Sequence, residues 1–322
     1  MVGKLTALVR RARLAFQLRR IYSSDSKYQL KYLKDLSPDG KDRSDAEIML
    51  VMHALEKGLS FREKKTGFGK EKSSSLVDML ERHIGLYGID SQVVVATNIL
   101  DNYLKDSSST DDVSVRGKIE QYLSSHKDLI RSETGGVKKV SAPQGNPSYE
   151  EILAFYGNRS SVREFSSVPL SEEEIDKAIA IASTTPSACN RQASRVYVVQ
   201  DREKLKGLME NQLGDQGWCN GADTLFIVTE VATYFGSSYE RRQPFIDGGM
   251  FAMNLVMGLH AQGIASCCKM YVRDPRADKA VRKLIGIPEN EMPIVLILAG
   301  HYPDHEVTSP LSKRNEIAYK TL

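Results

Sequence analysis

Asn158-Arg159-Ser160-Ser161-Val162-Arg163-Glu164-Phe165 opens the half of this chain in which strands and helices alternate, and it sets two arginines beside two serines. Guanidinium groups form charge-assisted, often bidentate hydrogen bonds to a phosphate, each worth about 1.5 to 3 kcal/mol. The stretch is therefore a candidate phosphate site. Taken alone, it is equally compatible with two solvated arginines and a serine that caps a helix.

After this stretch, short apolar runs alternate with helical patterns. The runs have the length of strands and lie at 195–200, 225–229 and 294–299. The helical patterns lie near 171–183, 202–213 and 245–262. This alternation predicts an α/β or α+β domain with a buried sheet.

The region before this domain is predicted to be all-helical. Ser44 suits a helix N-cap, because Asp45 and Glu47 follow it and negative charge in the first turn suits the helix dipole. Later helical patterns run from about 75 to 85, 91 to 104 and 113 to 129.

The best linker is a stretch at 133–147 that is rich in glycine, proline and polar residues and has no apolar periodicity. We therefore expect a basic segment at 1–24, a helical region at 25–132, this linker, and a domain at 148–322.

A second patterned stretch in the domain is Thr185-Pro186-Ser187-Ala188-Cys189-Asn190-Arg191-Gln192. The Pro-Ser-Ala turn lets the backbone approach a flat ring, and the Asn190 amide can both donate to and accept from a polar ring edge. By itself the stretch is also compatible with an ordinary polar turn.

A third stretch is Asp247-Gly248-Gly249-Met250-Phe251-Ala252-Met253-Asn254-Leu255, which continues through Gly258 to Gly263-Ile264-Ala265-Ser266-Cys267-Cys268. Its small residues allow close helix approach. A dimer seam and a monomer core would use such residues equally.

Because the three stretches follow one another in order on the same strand and helix scheme, residues 149–322 resemble the nitroreductase family. The resemblance implies an α+β, nitroreductase-like fold, with a central mixed, mainly antiparallel sheet flanked by helices, preceded here by the all-helical region. It also implies a homodimer that binds flavin mononucleotide (FMN) and takes NADH or NADPH as a transient reductant.

The resemblance assigns the first stretch to the cofactor. Arg159, Ser160 and Ser161 would hold the phosphate end and the ribityl chain. Arg163 would lie nearer the ring, where positive charge stabilises the anionic reduced flavin. Lys313 and Arg314 lie where the family often places a basic residue on the phosphate, although a charged tail is an equally good interpretation.

The resemblance also assigns the other two stretches. A loop that covers the flavin of the opposite subunit would contribute Pro186, Ser187, Ala188, Asn190 and Gln192. The strand after the long helix would contribute Cys268, Lys269 and Met270, and the backbone N–H of Met270 would reach flavin N5.

Two departures from the family pattern change the expected pocket. Ala193-Ser194 follow Gln192, where the family usually has Pro-Trp, so the wall near the substrate is altered. Lys269-Met270-Tyr271 stand where many relatives have Glu-Gly.

The stretch from His53 through Glu56-Lys57-Gly58 to Gly67-Phe68-Gly69-Lys70 resembles a region that precedes the nitroreductase domain in some long members accompanying bacterial surface-glycan assembly. His53 and Glu56 share one helical face, so they could pair or reach into the flavin site. A surface hydrogen bond on a helix that ends at Gly58 is the simpler interpretation.

Composition and motif spacing argue against several classes of partner and binding site. The net charge of +3 over 322 residues, without aromatics interleaved among basic clusters, argues against a nucleic-acid partner. No Gly-x-Gly-x-x-Gly follows a strand, and Gly67-Phe68-Gly69-Lys70 lacks P-loop spacing. The six histidines are scattered, so no metal site is expected.

The chain is expected to be cytoplasmic. Its four cysteines form no CxxC pair, and no run approaches the roughly 20 apolar residues that span a bilayer. Residues 1–24 carry six basic residues and no acid. This segment could lie on an anionic membrane surface, be a solvated or partner-packed helix, or be a targeting presequence.

The expected reaction is ping-pong. A nicotinamide cofactor passes hydride to flavin N5 and leaves, and an oxidised acceptor such as a nitro compound or a quinone takes its place. Cys189 is expected to pack rather than to react. Two alternatives remain open: a flavin-dependent oxidase or dehydrogenase of a glycan or other biosynthetic intermediate, and a non-catalytic membrane-peripheral partner that uses this fold as a scaffold.

Overall fold

The computed structural model describes residues 2–33, 39–131, 134–212, 222–236, 238–272, 274–310 and 321. The chain divides into two compact units. The first, the helical unit, comprises Met1–Ala142, Ser187–Ala193 and Val231–Pro244. The second, the sheet unit, comprises Pro143–Pro186, Ser194–Glu230 and Phe245–Leu322.

The helical unit contains five α-helices within its described residues. They are α1 (Val2–Tyr32), α2 (Lys41–Ser60), α3 (Lys70–Tyr87), α4 (Ser91–Lys105) and α5 (Val113–Ser125). The prediction of an all-helical region is confirmed, and the expected helices at 75–85 and 91–104 lie within α3 and α4.

Side-chain caps and one apolar core explain these helices. Asp90 accepts hydrogen bonds from the first N–H groups of α4, and Asp112 does the same for α5. Apolar residues at helical spacing meet in the core, where Leu55, Leu80 and Ile99 are fully buried. The core also takes in Ala193, Val231, Tyr234 and Phe235 from the two later segments of this unit.

The start of α2 corrects one expectation. The prediction that a helix begins at Ser44 is wrong, because α2 begins at Lys41 and Ser44 lies inside it. The Ser44 hydroxyl lies 2.9 Å from Nδ1 of the buried His83. This hydroxyl therefore contacts a residue far away in the sequence and does not cap the start of a helix.

The sheet unit alternates helices with strands. Its helices are α6 (Tyr149–Asn158), α7 (Glu172–Ala182), α8 (Arg202–Asn211), α9 (Gln243–His260) and α10 (Pro275–Ile285). Its strands are β1 (Ser194–Val199), β2 (Thr224–Val231), β3 (Ala265–Met270) and β4 (Glu291–Gly300).

The four strands form one sheet in the order β1-β2-β4-β3, with β1 antiparallel to β2 and β3 antiparallel to β4. Side chains alternate between two cores, as a pleated strand requires. Leu225 and Ile227 of β2 belong to one core, and Phe226 and Val228 belong to the other. The predicted α+β architecture, an antiparallel sheet flanked by helices after a helical region, is confirmed.

Glu230, near the end of β2, carries a fully buried carboxyl group. The Ser194 hydroxyl donates a short hydrogen bond to its Oε1, whereas Oε2 has no partner among the described residues. Burial raises the pKa of Glu230 to about 8, and the nearby charge of Asp247 acts in the same direction. The carboxyl group is therefore protonated at neutral pH.

Replacement of Glu230 by Gln should flatten the pH dependence of stability. Between pH 4.5, the ordinary value for a glutamate, and about 8, the unfolded chain ionises this group while the folded chain keeps the proton. Stability therefore falls as pH rises, by up to about 1.4 kcal/mol per pH unit. Glutamine keeps an acceptor for Ser194 and cannot ionise, so Glu230→Gln should lack this loss.

The measurement is urea unfolding at pH 5 and pH 7.5, two conditions about 2.5 pH units apart within this window. Exposed Glu210→Gln on α8 removes the same charge and is the control. Parallel pH profiles of the wild type and Glu230→Gln would refute a protonated Glu230.

Candidate functional site

The arginine stretch runs beside strand β3. Helix α6 ends at Asn158, and Arg159 has extended backbone. Ser161 then forms a parallel bridge with Ser266, in which the Val162 N–H donates to the Ser266 carbonyl over 3.0 Å. The helices on either side are capped by Ser148 and Ser171, so the alternative of a capping serine within this stretch is wrong.

Three cations converge on the cysteine pair of β3. Burial raises the pKa of the Cys267 thiol, while Arg163, Arg159 and Lys269 act in the opposite direction. Arg159 also opposes the raised pKa of Cys268. We call Arg159, Arg163 and Lys269 the cation cluster. Like charges held together repel one another, so the cluster suits an anionic ligand of more than one charge.

The partners of the cluster show how it is held. The Arg163 Nη1 donates to the Ser161 carbonyl over 3.2 Å, and the Ser309 hydroxyl donates to the same carbonyl over 3.1 Å. Lys269 is only 8% exposed, although it carries a charge. Lys313 and Arg314, the predicted additional phosphate ligands, lie outside the described residues.

The end of β3 is open to solvent. Met270 is its last residue, is 76% exposed and pairs with Val295 of β4. Cys268 is also exposed. The next residue, Tyr271, is buried and donates its hydroxyl to Asp278 over 2.8 Å. The backbone at Met270 is thus fixed from both sides, and its hydrogen bond to flavin N5 stays a prediction.

The loop of the second stretch has strained backbone. Cys189, Asn190 and Gln192 have φ angles of 53°, 53° and 51°, and they are the only non-glycine residues with positive φ in the described part of the chain. Such conformations cost about 1 kcal/mol or more each and concentrate at functional sites. The Ser187 hydroxyl holds the loop by accepting the Gln192 N–H over 2.9 Å. Asn190 and Gln192 stay exposed at its surface.

Arg191 lies in the same loop, and the sequence analysis gave it no role. Its side chain is 4% exposed and forms a 2.6 Å ion pair with Glu240, and the guanidinium lies over the Phe235 ring. Its Nε and Nη1 have no hydrogen-bond partner among the described residues. A buried guanidinium with open donors is costly unless an anion is nearby, and nothing in the local sequence pattern reveals this burial.

The helical unit contains a buried charge network that the sequence analysis also missed. Asp45, His83 and Asp90 bring ligand atoms within 4.8 Å of one another, an arrangement that could hold a metal ion. Lys41 already provides a cation there, because its Nζ lies 2.9 Å from Asp45 and 2.6 Å from Asp90. These hydrogen bonds raise the pKa of Lys41 to about 12 against the opposing effect of burial.

His53 and Glu56 do not act together. The Glu56 carboxylate accepts the Gly136 N–H over 3.2 Å and lines a cavity of about 540 Å³. His53 lines a different cavity, of about 980 Å³, with Lys57 and Phe68. The possible polar pair is therefore not formed, and the expectation that the helix ends at Gly58 is wrong, because α2 continues to Ser60.

The predicted site residues thus fall into separate groups. Arg159, Ser161, Arg163, Cys268 and Lys269 lie together beside β3 in the sheet unit. Pro186 also belongs to the sheet unit, whereas Ser187, Ala188, Asn190 and Gln192 belong to the helical unit.

Comparison with known proteins identifies the relatives of this chain. The sequence model of the nitroreductase family matches residues 156–215 and 205–301. A protein of Archaeoglobus fulgidus named "Putative NADH dehydrogenase/NAD(P)H nitroreductase" is 32% identical over 158 residues, which cover 49% of this chain and 88% of that protein. The "FMN reductase [NAD(P)H]" of Bacillus subtilis is 29% identical over 24% of this chain and 30% of its own length.

Among solved structures, a nitroreductase with bound FMN from Bacteroides fragilis is 19% identical. The match covers 53% of this chain and 99% of that one, with a TM-score of 0.44. The family match falls on the part of the chain that holds the cation cluster and the sheet. By these similarities, the chain belongs to the nitroreductase family.

Proposed function

We propose that this protein is an FMN-dependent oxidoreductase that uses NADH or NADPH to reduce an oxidised organic acceptor, such as a nitro compound or a quinone. The observation that carries the proposal is the cation cluster beside the open end of β3. When bound, FMN would supply the chemistry by accepting hydride at N5 and releasing it to the acceptor. The residues of this chain would position the cofactor and provide positive charge around it.

The cation cluster fits the phosphate end of FMN. A phosphate of charge near −2 compensates the repulsion among Arg159, Arg163 and Lys269, and guanidinium groups bind it through charge-assisted hydrogen bonds. Ser160 and Ser161 provide hydroxyl groups on the same segment. The bridge from Ser161 to Ser266 fixes these groups before any ligand binds, which lowers the entropic cost of binding.

The charge of Arg163 has a second role in this proposal. A cation near the ring stabilises negative charge on the reduced flavin and so favours its reduction. The backbone N–H of Met270 would donate to N5, and no side chain acts as a nucleophile. The names of the relatives support the same chemistry, since one is an NAD(P)H nitroreductase by name and another an FMN reductase that uses NAD(P)H.

We propose that two copies of the chain form the working unit through α6 and α9. Ile246, Met250 and Met253 recur along one face of α9, and each is at least 39% exposed. On α6, Leu153 is 57% exposed, and no residue of this helix is buried. Apolar surface of this kind marks an interface.

The two helices are joined, because His260 of α9 lies 2.9 Å from the Phe155 carbonyl of α6. They can therefore present one surface. In the dimer, the strained loop at 186–192 would cover the flavin of the neighbouring protomer with Pro186, Ser187, Ala188, Asn190 and Gln192.

We propose a cytoplasmic protein that α1 can bring to a membrane surface. No helix in the described residues is long and apolar enough to cross a bilayer. Helix α1 exposes Val9 and Phe16 together with its arginines, which suits an anionic lipid surface. Leu14 and Leu18 are exposed on its other side, so the contact would be weak and dependent on charge.

Replacement of Arg159 and Arg163 by alanine should abolish retention of FMN. Each loss removes a charge-assisted contact worth about 1.5 to 3 kcal/mol, so the double variant should bind the cofactor at least about 100-fold more weakly. An absorbance scan of the purified protein reads the two visible flavin bands. Arg202→Ala on α8 removes an 80% exposed arginine of the same unit and is the control. Unchanged flavin content in the double variant would refute the assigned phosphate and ring contacts.

A charge on the exposed face of α9 should prevent dimer formation. Met253→Glu places a carboxylate in the proposed apolar interface, where it would be buried without a partner. Size-exclusion chromatography with light scattering should then show a monomer. Val168→Glu changes a 57% exposed residue away from both helices and should remain dimeric. A dimer that persists in Met253→Glu would place the interface elsewhere.

A further inference from the structure

The helical unit contains the cavity of about 980 Å³ that His53 lines, and the flavin chemistry does not use it. Its walls come from the second half of α2, from the connection after it and from the start of α3. Cys189, in the strained loop, closes one side. All of these residues belong to the helical unit.

The cavity is positively charged. Five lysines line it against two glutamates. Two of the lysines are neutralised, Lys64 by Asp106 at 2.5 Å and Lys70 by Asp112 at 2.7 Å. Within the described part of the chain, no ion pair joins Lys57, Lys65 or Lys72 to a carboxylate.

The backbone before α3 is held in one conformation, and the first N–H groups of α3 have no side-chain cap. Gly69 precedes this 18-residue helix with φ at 71°. A Cβ at Gly69 would lie 2.7 Å from Leu55 Cδ2, and the positive φ adds strain for any other residue, so glycine is favoured there. The Tyr103 hydroxyl donates to the Phe68 carbonyl over 2.5 Å and holds the loop in place. The positive end of the helix dipole therefore faces the same space as the lysines.

The buried Arg191, which pairs with Glu240, lies behind the wall of the cavity. Its Nη2 lies 3.9 Å from the Cys189 Sγ on the cavity wall, and its two other guanidinium nitrogens have no described partner. Burial lowers the pKa of His53, and the charges of Lys57 and Arg191 lower it further, which favours the neutral imidazole. The positive charge on the wall itself comes from the lysines of α2, of the connection after it and of α3.

An apolar surface accompanies this charge. Phe61 is 53% exposed although it lines the cavity, and Leu50 and Ala54 extend the surface along α2. A flat ring can stack on an exposed aromatic face while a charged group at its other end meets the lysines.

We propose that this cavity binds a phosphorylated ring compound of the nucleotide class. The phosphate lies at the start of α3 between Lys57 and Lys65, and the ring lies on Phe61. The site stands apart from the proposed flavin function and does not depend on it.

Isothermal titration calorimetry of the full-length protein as purified tests the site with four probes: ADP, ribose 5-phosphate, inorganic pyrophosphate and adenosine. ADP should bind most tightly and adenosine most weakly, and added salt should weaken ADP binding. Lys57→Gln with Lys65→Gln should lower the affinity for ADP by about tenfold or more. Lys127→Gln with Lys177→Gln removes the same charge from exposed positions elsewhere and should leave the affinity unchanged.

The exposed cysteines locate the bound probe. ADP should slow alkylation of Cys189 and leave that of Cys268 unchanged, as measured by mass spectrometry of peptides. Three results would overturn the proposal: no binding of ADP, equal affinities of the wild type and the Lys57/Lys65 variant, or protection of Cys268 in place of Cys189. Equal affinities for ADP and ribose 5-phosphate would overturn the ring contact with Phe61.

Discussion

The hydrogen bond from the Val162 N–H to the Ser266 carbonyl holds the arginine stretch against the sheet, and the candidate site depends on it. Residues 159–163 are otherwise a connection between helices, and connections of this kind have no fixed direction of their own. The bridge gives them the direction of β3, so that Arg159 and Arg163 lie near Lys269 and the cysteine pair. The proposed anion site therefore depends on this backbone pairing and on the positions of the arginines.

Buried charge is handled in three ways in this molecule. The buried Asp45 is paired with the exposed Lys41 beside His83, and Arg191 is paired with Glu240 through only part of its guanidinium. Glu230 keeps a proton, because burial outweighs the opposing effects of Ser194 and Arg195 on its pKa. A buried ion pair in which every donor has a partner serves the packing of the core. In contrast, N–H donors without partners or a shifted pKa indicate a group that can respond to a ligand or to a change of pH.

The strained loop and the cation cluster are complementary parts of the proposed chemistry. The loop holds positive φ at three non-glycine residues, which a fold keeps only where the surroundings compensate the cost. Its compensation includes the buried Ala193 and the hydrogen bond of Ser187, both within the helical unit. The amino-terminal helices share a core with the end of this loop. The family resemblance places the same loop on the flavin, so we expect these helices to support it.

The sequence by itself determined the fold class, the positions of most helices and strands, and the arginine stretch, because periodicity and residue type are local properties. The start of α2 at Lys41, the separation of His53 from Glu56 and the burial of Arg191 were decided only by the tertiary structure. Each of these depends on partners far away along the chain, such as His83 for Ser44, Gly136 for Glu56 and Glu240 for Arg191. A local pattern carries no information about such partners, so the arginine stretch could be expected from its residues, while its approach to Lys269 and the second cavity could not.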